Sequence, residues 1–272
     1  MSYDFIRPSS SCPRLALPQV TLCAVTSVNV EATLRAMRIC CDQIAFAECK
    51  IFTHKNIDVN HPDFHPEISV VTIDKICCSA DYSRFLLVDL VRYVTTSHAL
   101  VVQWDGHVID ALRWSEKFLD YDYIGASWPQ FDDGHDVGNG GFSLRSRRLM
   151  DACRDPSFDS IHPEDLAIGR RNRTWLEKRG ICFAPRDLAD AFSTERAGDP
   201  ATSFGYHGAF NIPRAVGVEA FWQTYLELDE RSTVWRDLGN LLRELGRGRR
   251  ACIRQLRMLA DYLLAGIRQW WR

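Results

Sequence analysis

Apolar residues fall into short runs, and the spacing inside each run changes along the chain. Residues 20–25 (VTLCAV) form a continuous apolar stretch of strand length, and apolar positions at helical spacing follow from Val30 to Cys41. Residues 48–53 and 68–73 predict two more strands, each bounded by polar or proline-rich loops. Phe85, Leu86, Leu90, Val91 and Val94 predict a helix over about residues 80–96, leading into a strand at 98–103. Strand, helix, strand, strand, helix, strand is the signature of an α/β fold, a mostly parallel sheet flanked by helices. Beyond Trp114 the pattern turns aromatic and irregular, with a short helix ending near Cys153. Residues 162–169 read as a helix start with an early proline and two first-turn acids, running to about Arg179. A strand is expected at residues 181–184, and from about Val218 helical spacing continues to the end, interrupted near Gly246 and Gly248.

This pattern divides the chain into a Ser/Pro-rich lead-in at residues 1–18, an α/β domain at 19–217 and a helical extension at 218–272. With 46% hydrophobic residues, the 272-residue chain has ample material for a core, which argues against global disorder. A net charge of −2 gives the whole molecule no bias toward nucleic acid. The ten cysteines contain no C-x-x-C pair and sit mostly in apolar runs, so they read as small core hydrophobes in a reducing compartment. No segment has the length of a signal peptide's apolar region or of a membrane span, and a cytoplasmic location is expected.

The candidate chemistry starts where the strand at 98–103 ends, in Gln103-Trp-Asp-Gly106. Asp105-Gly106 is a common turn pair, and it is also a carboxylate at the strand edge where α/β folds bind ligands. His107 follows closely and is a further metal-ligand candidate beside its ordinary role as a loop histidine. Asn139, Gly140, Gly141 and Phe142 read either as a glycine turn or as a pocket wall with close backbone approach, near Trp128 as a stacking surface. Glu164 and Asp165 are either helix-dipole acids or a general base, and His207 between Gly205 and Gly208 is either a loop histidine or a metal ligand.

Taken in order, four blocks resemble nucleotide-sugar glycosyltransferases of the GT-A fold and, within that fold, a little-characterised domain-of-unknown-function family. They are Gln103-Trp-Asp-Gly106, Phe118-Leu-Asp-Tyr-Asp-Tyr-Ile-Gly125, Val137-Gly-Asn-Gly-Gly-Phe-Ser-Leu-Arg-Ser146 and Pro163-Glu-Asp165, and the resemblance spans roughly residues 18–215. It implies a GT-A-like, Rossmann-like sheet and a metal-dependent, inverting sugar transfer from a nucleotide-diphosphate sugar to a glycan or lipid-linked acceptor. Asp105 and His207 would hold Mn²⁺ or Mg²⁺ on the diphosphate, Asp165 or Glu164 would act as base, and Thr26, Ser27, Arg84, Gln103 and Trp104 would face the donor. Arg84 reads equally as a surface arginine. Trp128, Asn139, Gly140, Gly141 and Phe142 would line the acceptor side. Gln103 departs from the Asp-x-Asp form, and motivates a rival reading as a non-catalytic nucleotide-sugar or glycan binder. A metal-dependent phosphate-ester hydrolase is a further rival, and it predicts a richer His/Asp cluster. In the extension, residues 241–272 carry eight arginines against Glu244 and Asp261. That composition suits either packing on the domain or a second subunit, or contact with an anionic membrane surface.

Overall fold

The computed structural model describes residues 13–270. An apolar run with few polar interruptions suits a strand covered on both faces, and β1 (Leu15–Val25) is buried without a break from Val20 to its end. It begins inside the expected lead-in, of which residues 1–12 lie outside the described residues. Pro18 explains the difference: it has no N–H for the ladder, and the pairing register shifts between Leu17 and Thr21. The amphipathic α1 (Val30–Gln43) then packs Leu34, Met37, Cys40 and Cys41 onto the sheet. After it come β2 (Ile44–Thr53) and β3 (Ile68–Thr72).

The expected helix over 80–96 is a composite. α2 (Ser79–Arg84) continues as a wide turn over Phe85–Asp89 and a 3₁₀ turn over Leu90–Tyr93, so that Phe85, Leu86, Leu90 and Val91 all reach the sheet. β4 (His98–Val102), wholly buried, lies beside β1. β5 (Tyr123–Ile124) and β6 (Ser143–Ser146) close the sheet, whose order is β3-β2-β1-β4-β6-β5, with only β6 antiparallel to its neighbours. The chain is therefore α/β, with a six-stranded, mostly parallel sheet between helices.

α3 (Arg147–Ala152), α4 (Glu164–Leu166) and α5 (Arg173–Glu177) follow, the last two joined by a wide turn over Ala167–Arg171. The strand expected at 181–184 reduces to a single bridge between Phe183 and Tyr123, because β5 offers two residues and Pro185 ends the run. α6 (Arg186–Phe192) leads into β7 (Ser193–Thr194), which pairs in parallel with β8 (Gly205–Tyr206). Of the nine described cysteines, all free, Cys23, Cys40, Cys41, Cys49 and Cys153 are buried as expected, whereas Cys77, Cys78, Cys182 and Cys252 are exposed.

The C-terminal helices α7 (Ile212–Ala215), α8 (Val218–Glu227), α9 (Leu238–Leu245) and α10 (Ala251–Trp270) form a hydrophobic cluster of their own that α1 and β8 join. Phe221, Tyr225, Leu241, Leu245 and Met258 pack with Ala32, Tyr206 and Phe210. Asn29 at the start of α1 accepts from Glu230 N and donates to Glu230 O and Thr233 Oγ1, pinning the extension beside the end of β1. Among the described residues no helix is long and apolar enough to cross a membrane.

Candidate functional site

The strand order reverses between β1 and β4, and ligands of open α/β sheets bind beyond the carboxyl ends of strands at such a point. The chain leaves β4 through a tight turn in which Gly106 N donates to Gln103 O at 3.1 Å, and this turn presents Asp105 at the sheet edge. β7 and β8 are paired so that Thr194 lies opposite Tyr206. The next residue of each strand, Glu195 and His207, therefore emerges side by side. His207 Nε2 lies 3.5 Å from Asp105 Oδ1 and 3.3 Å from Gln103 Oε1, while its Nδ1 faces Glu195 Oε1 at 3.5 Å. Burial alone lowers the basicity of His207, yet the carboxylates of Asp105 and Glu195 outweigh it and raise its pKa well above the ordinary imidazole value.

The glycine segment fits against this histidine. A Cβ on Gly141 would stand 2.0 Å from His207 Nε2, so only glycine allows the approach. Asn139 shapes the turn by accepting from Gly141 N at 3.2 Å and donating to Glu195. On the other side, a Cβ on Gly140 would meet Glu164 Oε1 at 2.4 Å and Asp165 Cβ at 3.2 Å. The two glycines thus separate the histidine from the acidic pair.

That pair divides its work. Glu164 is buried; its Oε1 accepts from Arg145 Nη2 at 3.1 Å and its Oε2 from Ser83 Oγ at 3.3 Å. Arg145, 1% exposed on β6, also reaches Gly140 O at 3.3 Å. Asp165 has no such cation. Its Oδ1 accepts only from Leu166 N at 2.7 Å, and burial followed by the Glu164 carboxylate pushes its pKa up to about 6. A carboxyl group so poised is suited to proton transfer near neutral pH.

A cavity of about 470 Å³ opens at the ends of β1 and β4. Thr26, Ser27, Gln103, Trp104 and Glu164 line it, together with Tyr82, whose hydroxyl oxygen accepts from Gln103 Nε2 at 2.7 Å. Among the described residues, no lysine or arginine lines it.

Four assignments move. Arg84 is a surface side chain, 73% exposed with Asp89 at 3.7 Å, because its turn of α2 faces away from the cavity wall formed by Ser79 and Tyr82. Trp128 is 5% exposed, its ring filling the space above Gly138 and Gly169, and so offers no face to a sugar. Phe142 is wholly buried among Phe192 and Phe204. His107 is buried, with Nδ1 donating to Val108 O at 2.8 Å and its pKa lowered by burial to about 4. It lines a different cavity, behind Trp104, and makes no ion pair with Asp105. Glu195 and Tyr82 carry no local sequence signal, and Arg145 stands in a motif block that does not mark it out; the pairing of β7 with β8, the packing of α2 and the register of β6 bring them in.

The donor set fits a hard or borderline divalent ion: a carboxylate, an imidazole nitrogen and an amide oxygen from Asp105, His207 and Gln103. Asp105 Oδ1 is a buried atom without a hydrogen-bond partner, as is His207 Nδ1 toward Glu195. A carboxylate behind a ligating histidine is the usual arrangement for fixing its ring. Among the described residues no group of three His, Cys, Asp or Glu side chains converges on one point, so any ion held by Asp105 and His207 would take the Gln103 amide oxygen as its third protein donor.

No curated protein matches the sequence. A family model, described as a protein of unknown function (DUF5672), matches residues 67–207, which include β3 through β8 and every side chain of the Asp105–His207–Asp165 cluster. With more than half of its length matched, the chain belongs to the DUF5672 family.

Proposed function

We propose that this protein is a metal-dependent glycosyltransferase of GT-A type, moving a sugar from a nucleotide-diphosphate sugar to a glycan or lipid-linked acceptor with inversion, in the cytoplasm. One observation carries the reading. Asp105, His207 and Gln103 converge beside a cavity that, among the described residues, has no lysine or arginine on its wall. A diphosphate there needs positive charge beyond the His207 imidazole, and the Asp105 oxygen, which makes no hydrogen bond and faces that imidazole at 3.5 Å, is the group that would recruit it. Asp105, His207 and Gln103 would hold Mn²⁺ or Mg²⁺, which would supply Lewis acidity to the leaving diphosphate. The protein's own residues do the rest. Thr26 and Ser27 border the nucleotide end of the cavity, and Tyr82 orients Gln103. Asp165 takes the acceptor hydroxyl's proton across the Gly140-Gly141 divide, while Glu164, tied to Arg145, sets its basicity. A base on the face away from the leaving group supports single displacement, hence inversion.

The test is nucleoside diphosphate release from a panel of nucleotide sugars, with Mn²⁺, Mg²⁺ or chelator. The expected result is metal-dependent release from one donor, abolished in Asp105→Ala and reduced about 10²- to 10⁴-fold in Asp165→Asn. Donor binding without release, with acceptor extracts supplied, would instead identify a binding protein.

A further inference from the structure

Among the described residues, no element covers the outer face of α10. Ile253, Leu256, Leu263 and Leu264 are 66%, 67%, 62% and 53% exposed, and with exposed Ala260 they fall within about 100° of arc at 100° per residue. The opposite face is docked: Arg254 and Met258 are buried, Arg254 pairs with Glu219, and Tyr225 donates to Asp261 at 2.9 Å. α10 is therefore fixed to the body by one side and presents an apolar stripe with the other.

The segment is rich in exposed cations. Arg243, Arg247, Arg249, Arg250 and Arg257 are all exposed, and the acids of this segment are already engaged, Glu244 by Arg247 and Asp261 by Arg231 and Arg257. A second copy of the chain is a poor match. It would bring the same arginines together with no acid to receive them, and a stable interface needs about 20–30 residues a side, whereas this stripe offers five. A surface that is apolar beneath and anionic above satisfies both features.

We propose that α10 seats this protein on an anionic lipid bilayer, with Ile253, Leu256, Ala260, Leu263 and Leu264 entering the acyl boundary and the arginines meeting lipid phosphates. The inference stands on exposure and charge alone and is independent of the proposed catalysis.

Co-sedimentation of the full chain with vesicles tests it, using phosphatidylcholine alone and phosphatidylcholine with 30% phosphatidylglycerol. Binding is expected only to the anionic vesicles. Arg249→Gln, Arg250→Gln and Arg257→Gln together should weaken it on the order of 100-fold, at about fivefold per arginine. Leu256→Glu with Leu263→Glu should abolish it; both sites are exposed, so the fold, checked by circular dichroism, is retained. Equal binding to both vesicle types, unchanged binding in the leucine variant, or a concentration-dependent dimer that this variant dissociates would each overturn the proposal.

Discussion

Single side chains at the site have separable tasks, and each task has its own readout. Asp165 in the fold holds its proton up to about pH 6, against 3.8 for the free group. Between about pH 4 and pH 6 the folded chain therefore binds more protons here than the unfolded one, and this residue's effect on stability becomes less favourable as pH rises through that window. Activity should run the other way. Its acid limb should fall about tenfold per pH unit below about pH 6, and a pH–rate profile of Asp165→Asn should lack that limb. Glu195→Gln keeps the shape but removes the charge behind His207, and should weaken Mn²⁺ affinity about 10- to 100-fold by titration calorimetry. Gly141→Ala would force His207 aside, since the added carbon meets its ring at 2.0 Å. Metal affinity should fall even if the melting temperature moves little. The sequence made Asp105, Asp165 and His207 legible because each stands next to a strand end, a helix start or a glycine. It hid Glu195, whose neighbours Thr194 and Arg196 give no hint that β8 will lie alongside. Trp128 and Phe142 misled for a related reason: an aromatic near Gly140 and Gly141 suggests a pocket wall, but those glycines make room for Glu164 and His207, and the rings are accommodated by Gly138, Gly169 and Gly205.

Strands and helices determine how firmly the acidic pair is held. Arg145 on β6 and Glu164 at the start of α4 form a buried ion pair that links the sheet to the helix carrying Asp165. Its desolvation is costly, and removing one partner strands the other charge. Glu164→Gln should therefore lower stability by about 3–5 kcal/mol in urea unfolding. Periodicity located β1, α1, β2, β3 and β4 because their apolar runs are long enough to be read locally. It misplaced the start of β1, where Pro18 breaks the ladder without ending the strand. It also overextended residues 181–184 into a strand, since whether an apolar run pairs depends on the length of its neighbour, here a two-residue β5. The two-residue β7 and β8 lie below any periodic signal, yet they align Glu195 with His207.

For the molecule as a whole, the boundary at Val218 proves to be a change of composition without a break in the core. Tyr206, the residue before His207, packs in the same cluster as Phe221 and Tyr225 of α8. Phe221→Ala should cost about 3–5 kcal/mol, as for other buried aromatics, and a thermal melt should show one transition moving down, with the site lost in the same step. Helical spacing predicted the C-terminal helices but not which faces are covered, because the docked side of α10 uses Arg254 paired to Glu219 as well as apolar contacts. The central claim is that Asp105 and His207 recruit a divalent ion to carry a nucleotide diphosphate. Calorimetric titration of UDP and GDP into the protein, with Mn²⁺ and with chelator, tests it most directly. One nucleotide should bind only when Mn²⁺ is present, and that binding should be lost in both Asp105→Ala and His207→Ala. Metal-independent binding that survives both substitutions would contradict it.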